Sequence, residues 1–171
     1  AARSWADHVG GSESGFAAMM NAEAARLGMT HSHFENSAGL PDPNHKASAR
    51  DLAVLAQAVI RDSAYYPIYS EHEFTYNGIK QGNRNALLYT DPTVDGLKTG
   101  HTNEAGYCLT ASAKRNGMRL ISVVMDANSA QARADQTRVL FNWGYSHFEE
   151  ATPAQAGATL STAKVLYGTA P

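Results

Sequence analysis

Two apolar runs joined by an Asn-Gly pair limit most strongly what this chain can fold into. The runs extend from Tyr107 to Lys114 and from Met118 to Met125, and Asn116-Gly117 lies between them. Asn-Gly supplies the positive φ angles that a tight type I′ turn needs, so the pattern predicts an antiparallel hairpin. The second run is apolar at consecutive positions, which predicts a strand in the middle of a sheet, buried on both faces.

Two helices are predicted before this hairpin from their capping residues and apolar spacing. The first covers about residues 15–28, with Ser12 or Ser14 as its N-cap. The second begins after Ser48, and Asp51, three residues on, is predicted to be the acidic partner of a capping box. The first half of the chain is therefore predicted to be mainly helical.

The remaining segments predict a mixed architecture. Phe74 to Asn77 and Ala86 to Tyr89 are short strand candidates. A third helix is predicted to begin after Ser129, with an apolar side formed by Ala132, Val139, Leu140, Phe141 and Trp143. Helices packed on an antiparallel sheet give a mixed α+β layered fold. Residues 1–150 are assigned to this domain, and residues 151–171 to a linker and the first strand of a small β-rich domain.

Composition and charge exclude several classes of function. The formal net charge of −2 provides no basic field for nucleic acid. No apolar run reaches membrane-spanning length. The single cysteine, Cys108, excludes an internal disulfide and a cysteine-based metal cluster, and its apolar neighbours predict a small core residue.

The triplet Lys98-Thr99-Gly100 carries the strongest chemical signal and lies shortly before the hairpin. Lys98 offers a compact positive charge, Thr99 a hydroxyl group, and Gly100 room for close approach to the backbone. Together these groups suit a carboxylate held against the edge of a sheet. Taken alone, however, the triplet favours the alternative of a surface lysine followed by an ordinary turn.

The sequence around the triplet resembles the low-molecular-mass penicillin-binding proteins, which are serine D-alanyl-D-alanine carboxypeptidases. The resemblance covers nearly all of residues 1–150 and rests on five segments: Met19 to Asn21, Phe34 to Leu40, Ala49 to Ala53, Gln81 to Asn85 and Val94 to Thr102. It implies a β-lactamase/transpeptidase-like fold with an antiparallel sheet, which this chain would contain incompletely.

The resemblance also implies an acyl-transfer reaction on peptidoglycan stem peptides that end in D-Ala-D-Ala, without a metal or an organic cofactor. In such enzymes the serine of an S-x-x-K motif attacks the peptide carbonyl, an S-x-N motif helps to move protons, and the KTG strand binds the substrate carboxylate. β-Lactam antibiotics acylate these enzymes. The implied location is periplasmic or otherwise extracytoplasmic, in a membrane-associated parent protein with a signal peptide.

The substrate-binding residues implied by the resemblance are Lys98, Thr99 and Gly100. His101 follows directly and is expected to line the same surface. Arg133 matches a family arginine that helps to hold the terminal carboxylate, a task that suits a guanidinium. The alternative that Arg133 is a solvated charge at the end of a helix carries equal weight.

The catalytic serine is expected to lie outside these 171 residues, so that this chain alone is inactive. The sequence contains no S-x-N triplet, and its one S-x-x-K is Ser161-Thr162-Ala163-Lys164. The reaction needs the two side chains on one helical face. Thr159, Thr162 and Val165 instead favour a strand, which would place Ser161 and Lys164 on opposite faces. This motif also follows the KTG triplet instead of preceding it, so we expect no catalytic role.

Several alternatives stay open at this point. The chain could be a non-catalytic recognition or scaffold domain for wall peptides, or part of a β-lactamase or an endopeptidase of the same fold. His31 and His33 could bind zinc, although no third ligand is suggested and a surface turn is favoured. An aromatic cluster without basic partners is interpreted as packing and comprises Tyr65, Tyr66, Tyr69 and Phe74.

Overall fold

A computed structural model describes residues 2–62 and 64–161 of the chain. The helices are α1 (Ala2–Gly10), α2 (Glu13–Arg26), α3 (Ala49–Arg61), a 3-10 helix (Tyr66–Ser70), α4 (Leu87–Thr90) and α5 (Ala130–His147). The strands are β1 (Glu73–Tyr76), β2 (Ile79–Gly82), β3 (Val94–Thr102), β4 (Gly106–Arg115) and β5 (Met118–Ala127). Strands β1 and β2 form a separate hairpin, and β3, β4 and β5 form one sheet in that order.

The predicted hairpin is confirmed as β4 and β5. The two strands pair antiparallel, and Asn116 and Gly117 adopt φ angles of 51° and 92° in the turn. The prediction that the second run lies in the middle of the sheet is wrong for the described residues, because β4 takes that position and β5 pairs with β4 alone. The run is apolar because helices α3 and α5 both pack against β5.

Helices α3 and α5 cover opposite faces of the sheet. Leu109 of β4 belongs to the buried core with Phe141 of α5. The next residue, Thr110, faces a cavity that is also lined by Leu52 of α3. Because consecutive residues of a strand point to opposite faces, the core lies on the α5 side and the cavity on the α3 side.

The predicted N-caps of the three long helices are confirmed. The hydroxyls of Ser12, Ser48 and Ser129 each accept a hydrogen bond from the backbone N–H three residues further along. This bond satisfies one of the unpaired donors in the first turn of each helix. The three serines therefore fix where α2, α3 and α5 begin.

The capping-box role predicted for Asp51 is wrong. Its carboxylate accepts hydrogen bonds from the His31 backbone N–H at 2.8 Å and the Ser32 hydroxyl at 2.7 Å. The residue is only 2% exposed. Asp51 thus ties the turn before the cavity to the start of α3, and these hydrogen bonds lower the pKa of its carboxyl group.

The strand predicted at residues 86–89 is also wrong, since this stretch forms the short helix α4. The side-chain oxygen of Asn85 accepts a hydrogen bond from the Leu87 backbone N–H and starts the turn. Leu87 and Leu88 are both buried, so a short apolar run here marks a helix in the core. The strand predicted at residues 74–77 is confirmed as β1, and its partner is β2.

The apolar side of α5 differs from the prediction. Phe141 is buried as expected, but three of the large apolar residues are exposed: Val139, Leu140 and Trp143. The inward positions are instead occupied by Arg133, Ala134, Thr137, Phe141 and Gly144. A Cβ atom at Gly144 would lie 2.6 Å from the Leu120 side chain, so this glycine allows α5 to approach β5 closely.

Residues 148–161, after α5, contain neither helix nor strand. The strand predicted over residues 157–168 falls largely outside the described residues, as does Lys164, so the proposed domain boundary near residue 150 stays a prediction. In the described part of the chain, no helix combines the length and the apolarity that crossing a bilayer requires.

Candidate substrate-binding site

The predicted substrate-binding residues lie on β3, at the edge of the described sheet. Lys98, Thr99 and Gly100 pair with the β4 residues Thr110, Leu109 and Cys108. This placement beside the hairpin agrees with the sequence prediction. Because β3 has one neighbour among the described strands, its other edge carries backbone N–H and C=O groups that no described strand pairs.

A cavity of about 660 Å³ opens beside this edge. Its lining includes every residue from Leu97 to Thr102, apolar residues of α3, and residues of the segment 34–47 that precedes α3. Asn21 of α2 holds this segment by exchanging two hydrogen bonds, of 2.7 and 2.9 Å, with the backbone of Phe34. The cavity therefore combines one apolar side with one polar backbone edge, as small-ligand sites commonly do.

Lys98 lies at the mouth of this cavity. Its ammonium group donates a hydrogen bond to the Thr99 carbonyl oxygen. The residue as a whole is exposed, yet partial burial of the amine, together with the charges of Arg84 and Arg133, lowers the pKa of Lys98. Within residues 2–62 and 64–161, no carboxylate forms an ion pair with any of these three cations.

Arg133 is buried rather than solvated, with 5% of its surface exposed. Its Nη1 donates hydrogen bonds to the carbonyl oxygens of Gly100 at 3.0 Å and Cys108 at 3.2 Å, and its Nη2 donates to the Arg84 carbonyl at 3.3 Å. The alternative of a solvated charge at a helix end is therefore wrong. Arg133 connects β3, β4 and the segment that precedes α4.

His101 is exposed and stacks on Tyr107, its cross-strand partner in β4. The two ring centroids are 3.9 Å apart, and the Arg133 guanidinium carbon lies 5.6 Å from the Tyr107 centroid. Tyr107 is thus in contact range of two predicted site residues at once. The sequence pattern predicted only that Tyr107 lies in a strand.

Arg84 is a second residue at the candidate site that was not predicted from the sequence. It lines the cavity together with Lys98, and its charge lowers the pKa of both Lys98 and Arg133. The signal in the sequence is its position between two asparagines, in one of the five segments that carry the family resemblance. Spacing alone does not relate it to Lys98, because the two are brought together by the turn through α4.

The beginning of β3 is fixed by a group of polar residues. The Asp95 carboxylate accepts hydrogen bonds from the Tyr66 hydroxyl at 2.6 Å and from Arg119 at 2.8 Å. Burial and the bond to Asp95 raise the pKa of Tyr66 to about 12. Tyr66 also packs on Tyr69, as the packing interpretation predicts, whereas Tyr65 and Phe74 are exposed.

Two other predictions are clarified by the structure. Cys108 is half-buried in the lining of the cavity, so its assignment to the core is wrong.

His31 lies 3.0 Å from the Thr30 hydroxyl, and His33 lies 3.2 Å from Glu35. In the part of the chain that the structure describes, no three His, Cys, Asp or Glu side chains are grouped to hold a metal ion.

The fold and the edge-strand site together place the chain among the penicillin-binding proteins. Penicillin-binding protein 6B from Escherichia coli superposes with a TM-score of 0.84 at 44% identity, over 91% of this chain and 50% of that chain. Penicillin-binding protein D2 from Listeria monocytogenes, solved in its cefotaxime-bound form, gives a TM-score of 0.76 at 34% identity, over 84% of this chain and 60% of that chain. The predicted fold class is confirmed.

Sequence comparison identifies the family. The family model described as D-alanyl-D-alanine carboxypeptidase, Peptidase_S11, matches residues 1–129. The D-alanyl-D-alanine carboxypeptidase DacA of Haemophilus influenzae is 45% identical over 167 residues, which is 95% of this chain and 42% of that relative. The chain belongs to the S11 family of D-alanyl-D-alanine carboxypeptidases, and it spans less than half the length of this relative.

Proposed function

We propose that the protein is a serine-type D-Ala-D-Ala carboxypeptidase acting on peptidoglycan stem peptides, and that this chain supplies its carboxylate-binding surface. The observation that carries the proposal is the cationic group formed by Lys98, Arg84 and Arg133 without a paired carboxylate among the described residues. Positive charges held together in this way are stabilised by an anion. The terminal carboxylate of a D-Ala-D-Ala peptide provides one.

The residues of β3 would divide the work of binding. The Lys98 ammonium and the Thr99 hydroxyl bind the terminal carboxylate, and the free backbone edge of β3 pairs with the extended peptide. This arrangement would present the peptide bond between the two D-alanines to a nucleophile, with the carbonyl of the penultimate residue at the strand edge. His101 lies further along the same edge and would contact the outer part of the ligand.

The acylation step needs a serine that attacks the penultimate carbonyl and expels D-alanine, after which water hydrolyses the ester. The 171 residues contain no S-x-N triplet, and the one S-x-x-K is Ser161 to Lys164. We therefore propose that the nucleophile comes from a segment outside them. The cavity beside β3, with its apolar α3 side, is where we propose that this segment packs.

β-Lactams would enter the same site, because their carboxylate and cyclic amide resemble the two ends of the reacting dipeptide. The relative solved with bound cefotaxime supports this part of the proposal. A peptidoglycan substrate also implies an extracytoplasmic location. Residues 151–171 are proposed to lead into a small β-rich domain.

The test is release of D-alanine from a diacetylated tripeptide ending in D-Ala-D-Ala by the intact protein. Release that stops after penicillin treatment supports the proposal. Saturable binding of the peptide without release would instead show a recognition domain. Rapid turnover of penicillin would show a β-lactamase.

A further inference from the structure

The segment 34–47 forms one wall of the cavity, and backbone hydrogen bonds join its two arms at their base. His33 and Lys46 exchange bonds of 2.7 and 2.9 Å between their N–H and C=O groups. The Asp51 carboxylate holds the chain just before this base, through the Ser32 hydroxyl and the His31 N–H. Because these bonds lower the pKa of the Asp51 carboxyl group, it stays charged at weakly acidic pH. The base of the segment is therefore held across the neutral and weakly acidic range.

The next bond between the two arms is made by a side chain. The Glu35 backbone N–H donates a hydrogen bond to Nδ1 of His45 at 3.2 Å. The Phe34 and His45 rings meet edge to face, with their centroids 5.6 Å apart, and both residues line the cavity. Among residues 2–62 and 64–161, no hydrogen bond or ion pair joins the arms beyond Glu35 and His45. The imidazole is thus the outermost link across this wall.

This link requires a neutral imidazole that carries its proton on Nε2. A backbone N–H can only donate, so Nδ1 of His45 must present its lone pair. Both nitrogens of an imidazolium carry protons, and a protonated Nδ1 would face the Glu35 N–H as a second donor. Histidine ordinarily changes its charge between about pH 5 and 8, where backbone groups do not titrate. A fall to weakly acidic pH therefore breaks this link and leaves the base of the segment intact.

The charged and titratable groups around His45 offer it no replacement partner. Those in the same segment are Glu35, Asp42 and Lys46. Those on the facing walls of the cavity are Tyr69, Arg84, Lys98, His101 and Cys108, whereas α3 contributes apolar residues only. The Glu35 carboxylate lies 3.2 Å from Nε2 of His33. In the part of the chain that the structure describes, no carboxylate forms an ion pair with His45.

We propose that His45 is a positioning residue that fixes the cavity wall formed by residues 34–47, and that protonation of its imidazole releases the outer part of this wall. The wall carries Phe34, Ala38 and Gly39 into the cavity that opens beside β3. The link is present at neutral pH and is lost as the pH falls. The consequence for acylation rests on the proposed function: a loosened wall would slow the reaction at acidic pH.

The first test measures the link itself by hydrogen exchange in the intact protein. Protection of the Glu35 amide, corrected for the intrinsic effect of pH on exchange, should fall by about twofold to tenfold between about pH 7.5 and about pH 5.5, the range for one hydrogen bond. His45→Asn should abolish this pH dependence, because the asparagine Oδ1 takes the place of Nδ1 and accepts the bond without titrating. His45→Leu should give low protection at both pH values.

His33→Asn is the matched control, because His33 is an exposed histidine at the base of the same segment. This variant should keep the pH dependence of the wild type. If Glu35 protection in the wild type is equal at the two pH values, or if its fall persists in His45→Asn, the proposal is wrong. Loss of the pH dependence in His33→Asn would assign the effect to the pair of His33 and Glu35, and would also overturn it.

The second test measures the consequence for the reaction. The rate of acylation by penicillin in the wild type is divided by the rate in His45→Asn, which cancels the pH dependence of the chemistry that both proteins share. This ratio should fall by about twofold to tenfold from about pH 7.5 to about pH 5.5. A constant ratio would overturn the positioning role. If the intact wild type is not acylated at any pH, the proposed function fails, and the exchange test still decides whether His45 makes the pH-dependent link.

Discussion

The guanidinium of Arg119 on β5 lies 2.8 Å from the carboxylate of Asp95 on β3, so the ion pair spans the full width of the three-stranded sheet. Ser112 of the intervening strand β4 accepts a hydrogen bond from the same guanidinium at 2.5 Å. Asp95 lies at an irregularity in the pairing of β3 and β4, three residues before Lys98. The pair therefore joins all three strands immediately before the predicted substrate-binding residues.

Asp95→Asn is expected to lower the free energy of unfolding by about 1–2 kcal/mol, toward the lower end for charged hydrogen bonds. The effect is moderate because the Arg119 and Asp95 side chains are 27% and 31% exposed. Urea unfolding of each variant measures the change in the free energy of unfolding. Glu73→Gln is the matched control. Because Glu73 pairs with Lys80 in a more exposed hairpin, this variant should lose less unfolding free energy. Equal losses in the two variants would contradict the prediction.

Lys98→Ala should slow acylation by carboxylate-bearing substrates with little effect on folding. The loss of one charged hydrogen bond costs roughly 1.5–3 kcal/mol, about tenfold to a hundredfold or more in rate. The acylation rate of the intact protein by penicillin and a thermal melt of each variant measure the two effects. If acylation is unchanged, or falls only together with the Tm, Lys98 has a structural role and the site assignment is wrong.

Tyr66 should ionise later in an alkaline titration than the exposed tyrosines do. The pKa of Tyr66 is raised to about 12 in the folded chain, compared with about 10 in an unfolded one. Because the folded state holds this proton more tightly, the resulting stabilisation is present below about pH 10 and is lost as the pH rises toward about 12. Phenolate absorbance detects the late transition, and Tyr66→Phe should remove it.

In Tyr66→Phe, the free energy of unfolding should also fall less steeply with pH over this alkaline range. Tyr65→Phe is the matched control, because Tyr65 is its neighbour and is exposed. Burial also raises the pKa of Tyr145, so the decisive quantity is the pH of the last tyrosine transition. If that pH is the same in Tyr66→Phe as in the wild type, the prediction is wrong.

These 171 residues alone should not form a covalent adduct with penicillin. They contain no S-x-N triplet, and their one S-x-x-K, Ser161 to Lys164, is not expected to be catalytic. Incubation with a fluorescent penicillin, followed by a denaturing gel, measures this directly. A labelled band at the mass of the chain would contradict the prediction. Loss of that label in Ser161→Ala would show that this serine is the nucleophile.

The features that sequence predicted correctly depend on local backbone chemistry. Asn116-Gly117 is suited to a turn with two positive φ angles, and the three N-cap serines each satisfy a donor within their own helix. Such requirements involve residues only a few positions apart. They can therefore be predicted from the sequence before any tertiary contact is known.

Sequence missed the polar residues on the inner side of α5, which hydrogen bonds satisfy in their buried positions. Arg133, Thr137 and Phe141 occupy the inner side of α5 at intervals of four residues. Two of them are polar and were not predicted there. Arg133 is satisfied by carbonyls from other segments, and Thr137 by the Arg133 carbonyl at 2.8 Å. The large apolar residues Val139 and Leu140 are exposed instead. Periodicity in hydrophobicity cannot reveal a buried polar residue, whether its partner lies in another segment, as for Arg133, or in the same helix, as for Thr137.

The site is assembled by bonds to main-chain oxygens, and this has a consequence for redesign. Arg133 and Asn85 hold β3 through carbonyls, which every amino acid provides. Substitutions at Thr99, His101 or Cys108 therefore leave the anchoring atoms in place. Ligand preference should be open to directed alteration at these three positions while the frame that presents them stays constant.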